Sequence, residues 1–179
     1  MVACRPAVVK DVELIVRGTN EGVAGFNKWS FLNRGDLDGQ WQLIDTWNIE
    51  KGELLFADDI KPHENSFNAF ALCSPFLPKH SAVLFTRVEG GTDGTYQRVF
   101  AVAFKTPSND YTFILVNDHE KSFTVSLDFS KALGKKLVLY RLDDMSGKTY
   151  STDQPLELKA NDIITLTTYK MDKNDPGKK

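Results

Sequence analysis

From Ser81 onward the sequence is a succession of short apolar runs parted by turn-forming residues. That rhythm limits the fold more than any other feature. Strands so short and so closely spaced bury their apolar faces only by stacking into a sandwich or closing into a barrel. SAVLFTRV alternates through Val83, Phe85 and Arg87, and Gly90, Gly91, Asp93 and Gly94 make a loop after it. QRVFAVAFK and YTFILVN follow, joined by Thr106 to Asp110. Asn117 to Glu120 lead into KSFTVSLD, where Phe123, Val125 and Leu127 alternate with polar residues. KKLVLYRL, PLEL and IITLTTY bring the count to about seven. The pattern predicts a mainly β chain with an antiparallel β-sandwich of about seven to eight strands, and the clean alternation predicts one wet face.

The front of the chain has a different period. Residues 6–17 read as a helix: Pro6 suits a first helical position, Val8, Val12 and Ile15 recur at helical spacing, and Gly18 is a natural stop. Val23 to Leu32 then reads as a strand. A helix and a strand in that order are the half-unit of a parallel α/β fold. The unit occurs once and must pack on something else. Asn33 to Lys61 shows little period and is long for a loop, which marks functional or disordered segments. Trp41, Trp47 and Phe56 argue against disorder. Residues 65–77 read as a helical turn or two, ended by Pro75 and Pro78. The expected division is 1–80 for helix, strand and Trp-rich loop, 81–170 for the sandwich and 171–179 for a tail.

Several function classes fall away. A net charge of −2 offers neither nucleic acid nor an anionic membrane the clustered positive charge that it needs. No stretch is long and apolar enough to span a bilayer, and Met1 to Lys10 lacks the apolar centre of a signal peptide. Cys4 and Cys73 are too few for a disulfide framework, which favours buried thiols. His63, His80 and His119 lack paired-ligand spacing, so zinc is not expected. There is neither a phosphate loop nor a nucleophile elbow, and no cofactor is expected.

GFNKWSFLNRGDLDGQWQLIDTW, Gly25 to Trp47, resembles the last barrel strand and following loop of clan-A glycoside hydrolases. FALCSPFLPKHSAVLFTRV, Phe70 to Val88, is similar to the return from the barrel into the β-sandwich carried by families related to family 30. The stretch from LVLYRLDDMSGKTY to DIITLTTY resembles the sandwich end. The resemblance implies the last helix-strand part of a (β/α)8 barrel followed by a sandwich, and a carbohydrate as partner. It also implies a parent enzyme that is secreted or periplasmic. Retaining enzymes of this clan use an acid/base after the fourth barrel strand and a nucleophile after the seventh. By the same resemblance this chain starts at the seventh helix, after both. A pair of carboxyl groups about 5–5.5 Å apart is what the chemistry needs. The chain is therefore expected to be either part of a longer enzyme or a separate protein without the catalytic part, and not catalytic alone. The other reading is a stand-alone carbohydrate-binding or protein-interaction module.

Trp29, near the end of the presumed barrel strand, could stack on the C–H face of a sugar, or could be a core tryptophan. Asn33, Arg34, Asp36, Asp38, Gln40 and Trp41 form the densest polar-plus-aromatic cluster. They provide the adjacent donors and acceptors that sugar hydroxyls require, though Asp36 and Asp38 could simply bond backbone amides. Asp36-Leu37-Asp38-Gly39 has only part of a calcium-loop pattern, so no metal is expected there. Finally, Val8, Val12, Ile15, Phe26, Trp29 and Phe31 need covering, each worth roughly 1.5–3 kcal/mol when buried. Either they fold onto the sandwich or two chains share the N-terminal segment, and a homo-oligomer is expected from the second outcome.

Overall fold

The computed structural model describes residues 5–26, 32, 43–48, 50–90, 98–128 and 136–170. Helix α1 spans Arg5–Asn20, with Val8, Val9, Val12 and Val16 on one buried stripe. It runs past Gly18, the expected stop. The Gly22 amide donates to the Thr19 carbonyl at 3.1 Å and the Val23 amide to the Gly18 carbonyl at 2.8 Å. These two bonds close a helix that ends on a left-handed residue, and Gly22 supplies that residue at φ +92°. Gly18 is small for another reason. A Cβ there would meet the Phe26 ring at 2.9 Å, so its absence lets the chain fold back over the helix.

The expected strand from Val23 to Leu32 is corrected where it is described. Residues 23–26 form no strand, and Leu32 makes a single parallel bridge to Ile44. Two short antiparallel pairs follow. In one, β1 (Ile44–Asp45) pairs with β4 (Lys61–Pro62); in the other, β2 (Trp47–Asn48) pairs with β3 (Glu53–Leu54). Helix α2 (Glu64–Ala71) and a 3-10 turn at Ser74–Phe76 occupy the stretch read as helical turns.

The remaining strands are β5 (Ala82–Leu84), β6 (Val99–Lys105), β7 (Tyr111–Asn117), β8 (Phe123–Val125), β9 (Leu137–Arg141), β10 (Asp144–Tyr150), β11 (Leu156–Leu158) and β12 (Asp162–Thr167). Six of them form one antiparallel sheet in the order β10-β9-β12-β7-β6-β5, and β8 pairs with β11 in a separate ribbon. Strand β10, sequence DMSGKTY, was not among the expected strands. It is polar, lies at the sheet edge and has a register irregularity between Asp144 and Lys148, so it carries no apolar alternation.

The expected wet face is also corrected, because both faces of the central strands are covered. Val102, Phe104, Ile114, Val116 and Ile163 point to one side and share a core with the α1 valines, Ala69 and Leu72. Leu115, Ile164 and Leu166 point to the other and meet Leu137, Leu156 and Leu158. Period-two alternation is present, but both sets of positions are apolar or threonine. Two of those threonines dock the segment after α2. Thr165 Oγ1 donates to the Leu72 carbonyl at 2.5 Å, and Thr112 Oγ1 to the Phe76 carbonyl at 2.8 Å. They satisfy carbonyls that a helix end leaves without partners. Phe76 then packs on Tyr140 with ring centroids 4.7 Å apart.

Candidate functional site

Trp29, Asn33, Arg34, Asp36, Asp38, Gln40 and Trp41 lie outside the described residues, as do Cys4 and Phe31. The base of their loop is described. The Leu32–Ile44 bridge brings its two ends side by side, and Ile44 pairs in turn with Pro62. The His63 amide adds a bond of 2.8 Å to the Leu43 carbonyl. A long excursion is thus pinned at its root by backbone bonds. Just beyond, Leu54 and Phe56 are strongly exposed, while Trp47 Nε1 and His63 Nδ1 are buried without a hydrogen-bond partner among the described residues. Such groups usually find partners, and these two atoms and Ser66 Oγ are the exceptions among the described residues.

Two acidic side chains approach each other elsewhere. Lys10 Nζ donates to Glu13 Oε2 and to Asp118 Oδ2, both at 2.5 Å, so one ammonium bridges two buried carboxylates. Arg17 bonds Glu13 at 3.0 Å, and Arg98 bonds Asp118 at 2.7 Å. Burial pushes the Asp118 carboxyl up, but the Lys10 ammonium and the Arg98 guanidinium outweigh it and hold the group below the usual carboxylate range. The Lys10 ammonium is pushed up in turn, first by its bond to Asp118 and then by that to Glu13. A glycosidase acid must instead hold its proton near neutral pH, through a raised pKa. With an ammonium placed between the two carboxylates, this constellation ties α1 to the end of β7. Among the described residues no group of three or more His, Cys, Asp or Glu could hold a metal ion. No described helix is long and apolar enough to cross a membrane.

An open groove of about 430 Å³ lies where α1 ends against β5. Thr19, Asn20 and Val23 form one wall, and Val83, Phe85 and Thr86 the other. Asn20 Nδ2 donates to the Ala101 carbonyl at 2.8 Å, fixing the end of the helix to β6. The sequence points to Val83 and Phe85 only as members of an alternating strand. In the structure Val83 and Phe85 are exposed, and Leu84 and Val88 turn toward the protein. Alternation reveals two faces but not which one is covered, so the groove was not foreseeable from the sequence.

No protein-family profile matches the sequence, and no curated protein matches it. Solved structures do. A glycoside hydrolase family 30 subfamily 8 xylanase from Clostridium acetobutylicum superposes with a TM-score of 0.57 at 10% identity, over 92% of this chain and 39% of its own. A conserved exported protein from Bacteroides fragilis reaches 0.63 at 14% identity, over 93% of this chain and 35% of its own. An endo-β1,6-glucanase reaches 0.53 at 15% identity, over 91% and 31%. The chain thus spans less than two fifths of the length of these structures.

Proposed function

We propose that this chain is the non-catalytic C-terminal part, or an accessory domain, of a carbohydrate-active protein built like a family 30 glycoside hydrolase. One observation carries the reading. The fold is shared over about nine tenths of this chain with a xylanase and an endo-β1,6-glucanase, yet it accounts for under two fifths of either. The Lys10 and Arg98 contacts that hold the Asp118 carboxyl below the usual carboxylate range support the non-catalytic half of the proposal. In this reading Trp29 stacks on a sugar ring, and Asn33, Arg34, Asp36, Asp38, Gln40 and Trp41 bond its hydroxyls.

The test has two arms. Purified chain is assayed with aryl β-xylosides and aryl β-glucosides, and run on native gels cast with xylan or β-1,6-glucan. The expected result is no turnover, with retardation by one polysaccharide that Trp29→Ala or Trp41→Ala reduces. Hydrolysis that disappears in Asp36→Asn or Asp38→Asn overturns the non-catalytic reading. The exposed Phe85 beside a groove favours a second reading, a stand-alone carbohydrate-binding or protein-interaction module. A reading frame that continues upstream into barrel-coding sequence supports the first reading, and a stop codon just upstream supports the second.

A further inference from the structure

Strand β5 is the last strand of the six-stranded sheet. It pairs with β6 on one side, and among the described residues no strand occupies the other. Its regular pairing ends at Leu84, but a period of two in exposure continues. Val83, Phe85, Arg87 and Glu89 are exposed, while Leu84, Thr86 and Val88 are half-buried, as in an extended chain lying along a sheet edge. Val88 packs on the sandwich core. Phe85 is 94% exposed and Val83 47% exposed, and both border the groove at the end of α1. An open edge with large apolar side chains is a template for another strand.

We infer that residues 83–89 are the surface through which two copies of this chain pair, antiparallel and two-fold about Thr86. The side chains select the occupant and the register. In an antiparallel pair, residues directly opposite share a face and interact. With the axis at Thr86, Leu84 of each copy faces Val88 of the other on the inner side. On the outer side each Phe85 faces Arg87 of the other copy, a cation beside an aromatic ring. Arg87 Nε lies 3.0 Å from the Glu89 carboxylate. Moving the axis to Arg87 sets guanidinium against guanidinium. Moving it to Phe85 sets the two Phe85 rings against each other, but it places Leu84 against Thr86 and Val83 against Arg87 and so gives up both Leu84–Val88 contacts and both cation–ring contacts. A self-complementary edge fits the isologous contact of a two-fold dimer. The apolar stripe of α1 is buried within the single chain.

The full chain is examined by sedimentation over a range of concentrations, together with Phe85→Lys. A concentration-dependent dimer is expected. Phe85→Lys should raise its dissociation constant at least about tenfold, because the axis removes the contact twice. Since Phe85 is almost wholly exposed, an unchanged thermal midpoint for the monomer is expected and is measured alongside. Register is read by cross-linking in a Cys4→Ser background under mild oxidation. Thr86→Cys should form a disulfide-linked dimer quickly. Val83→Cys should not, because the two copies of position 83 stand six residues apart along the pair, about 20 Å. Monomers up to the solubility limit, a dimer indifferent to Phe85→Lys, or equal cross-linking of the two cysteine variants would each overturn the inference.

Discussion

Lys10 on α1 donates to the carboxylate of Asp118 at the end of β7 at 2.5 Å, a bond between positions 108 residues apart. It is the polar counterpart of the valine stripe. The valines hold the helix on the sheet, and the bond sets its position at the end of β7.

The Asp118 carboxyl is held below the usual range in the folded protein, so its contribution to stability is fully present above the ordinary value of 3.8 and is lost as pH falls through the lower folded value. Unfolding free energy of the wild type should therefore fall more steeply below about pH 4 than that of Asp118→Asn. At neutral pH Asp118→Asn should cost about 1–3 kcal/mol, since Arg98 and Lys10 lose a charged acceptor. Parallel acid profiles for the two proteins in chemical denaturation would contradict the role given to this carboxylate.

Val12 is fully buried on α1, whereas Leu14 is 60% exposed two residues later. Val12→Ala should cost roughly 2 kcal/mol, at ~0.8 kcal/mol for each buried methyl plus a cavity term. Leu14→Ala should stay within about 0.5 kcal/mol of wild type. Equal shifts in urea midpoint would mean that the helix does not present this stripe to the sheet.

Gly22→Ala should cost about 1 kcal/mol, because alanine must adopt φ +92° there. At Gly18 the backbone is helical, and the obstacle is the Phe26 ring, 2.9 Å from an added Cβ. Gly18→Ala should therefore be more favourable in a Phe26→Ala background than in the wild type, approaching the gain of about 1 kcal/mol that alanine brings to a helix. A thermal double-mutant cycle with no coupling would show that the ring is not what keeps position 18 small.

Burial pushes the Cys73 thiol up to about 12, and its sulfur donates to the Ala69 carbonyl at 3.4 Å. In a Cys4→Ser background, modification by a thiol-specific disulfide reagent at pH 8 should proceed only at the rate of unfolding. Rapid labelling that is independent of added denaturant would place Cys73 at the surface instead.

Local chemistry was legible in the amino-acid order. Val8, Val12 and their neighbours announce a helix with one apolar stripe, and the alternating runs at 99–105, 111–117 and 163–169 announce strands, because such periods come from backbone geometry alone. The resemblance of Gly25 to Trp47 and of Phe70 to Val88 to clan-A enzymes pointed to the same family 30 enzymes whose solved structures share this fold. Other features depended on what stands across from each residue. Gly18 looked like a helix stop because its partner, Phe26, is chosen by tertiary folding. One wet face was expected, yet α1 and α2 close over one face of β7 and β12 while the β8–β11 ribbon closes the other. A sequence can show that a strand has two kinds of side, but not that both will be buried. Strand β10 was invisible for the converse reason: its polar residues are held in the sheet by main-chain bonds to β9, which no side-chain pattern reports. The pairing of Lys10 with Asp118 likewise exists only after the sheet has formed, since only the fold brings the end of β7 against the first helix.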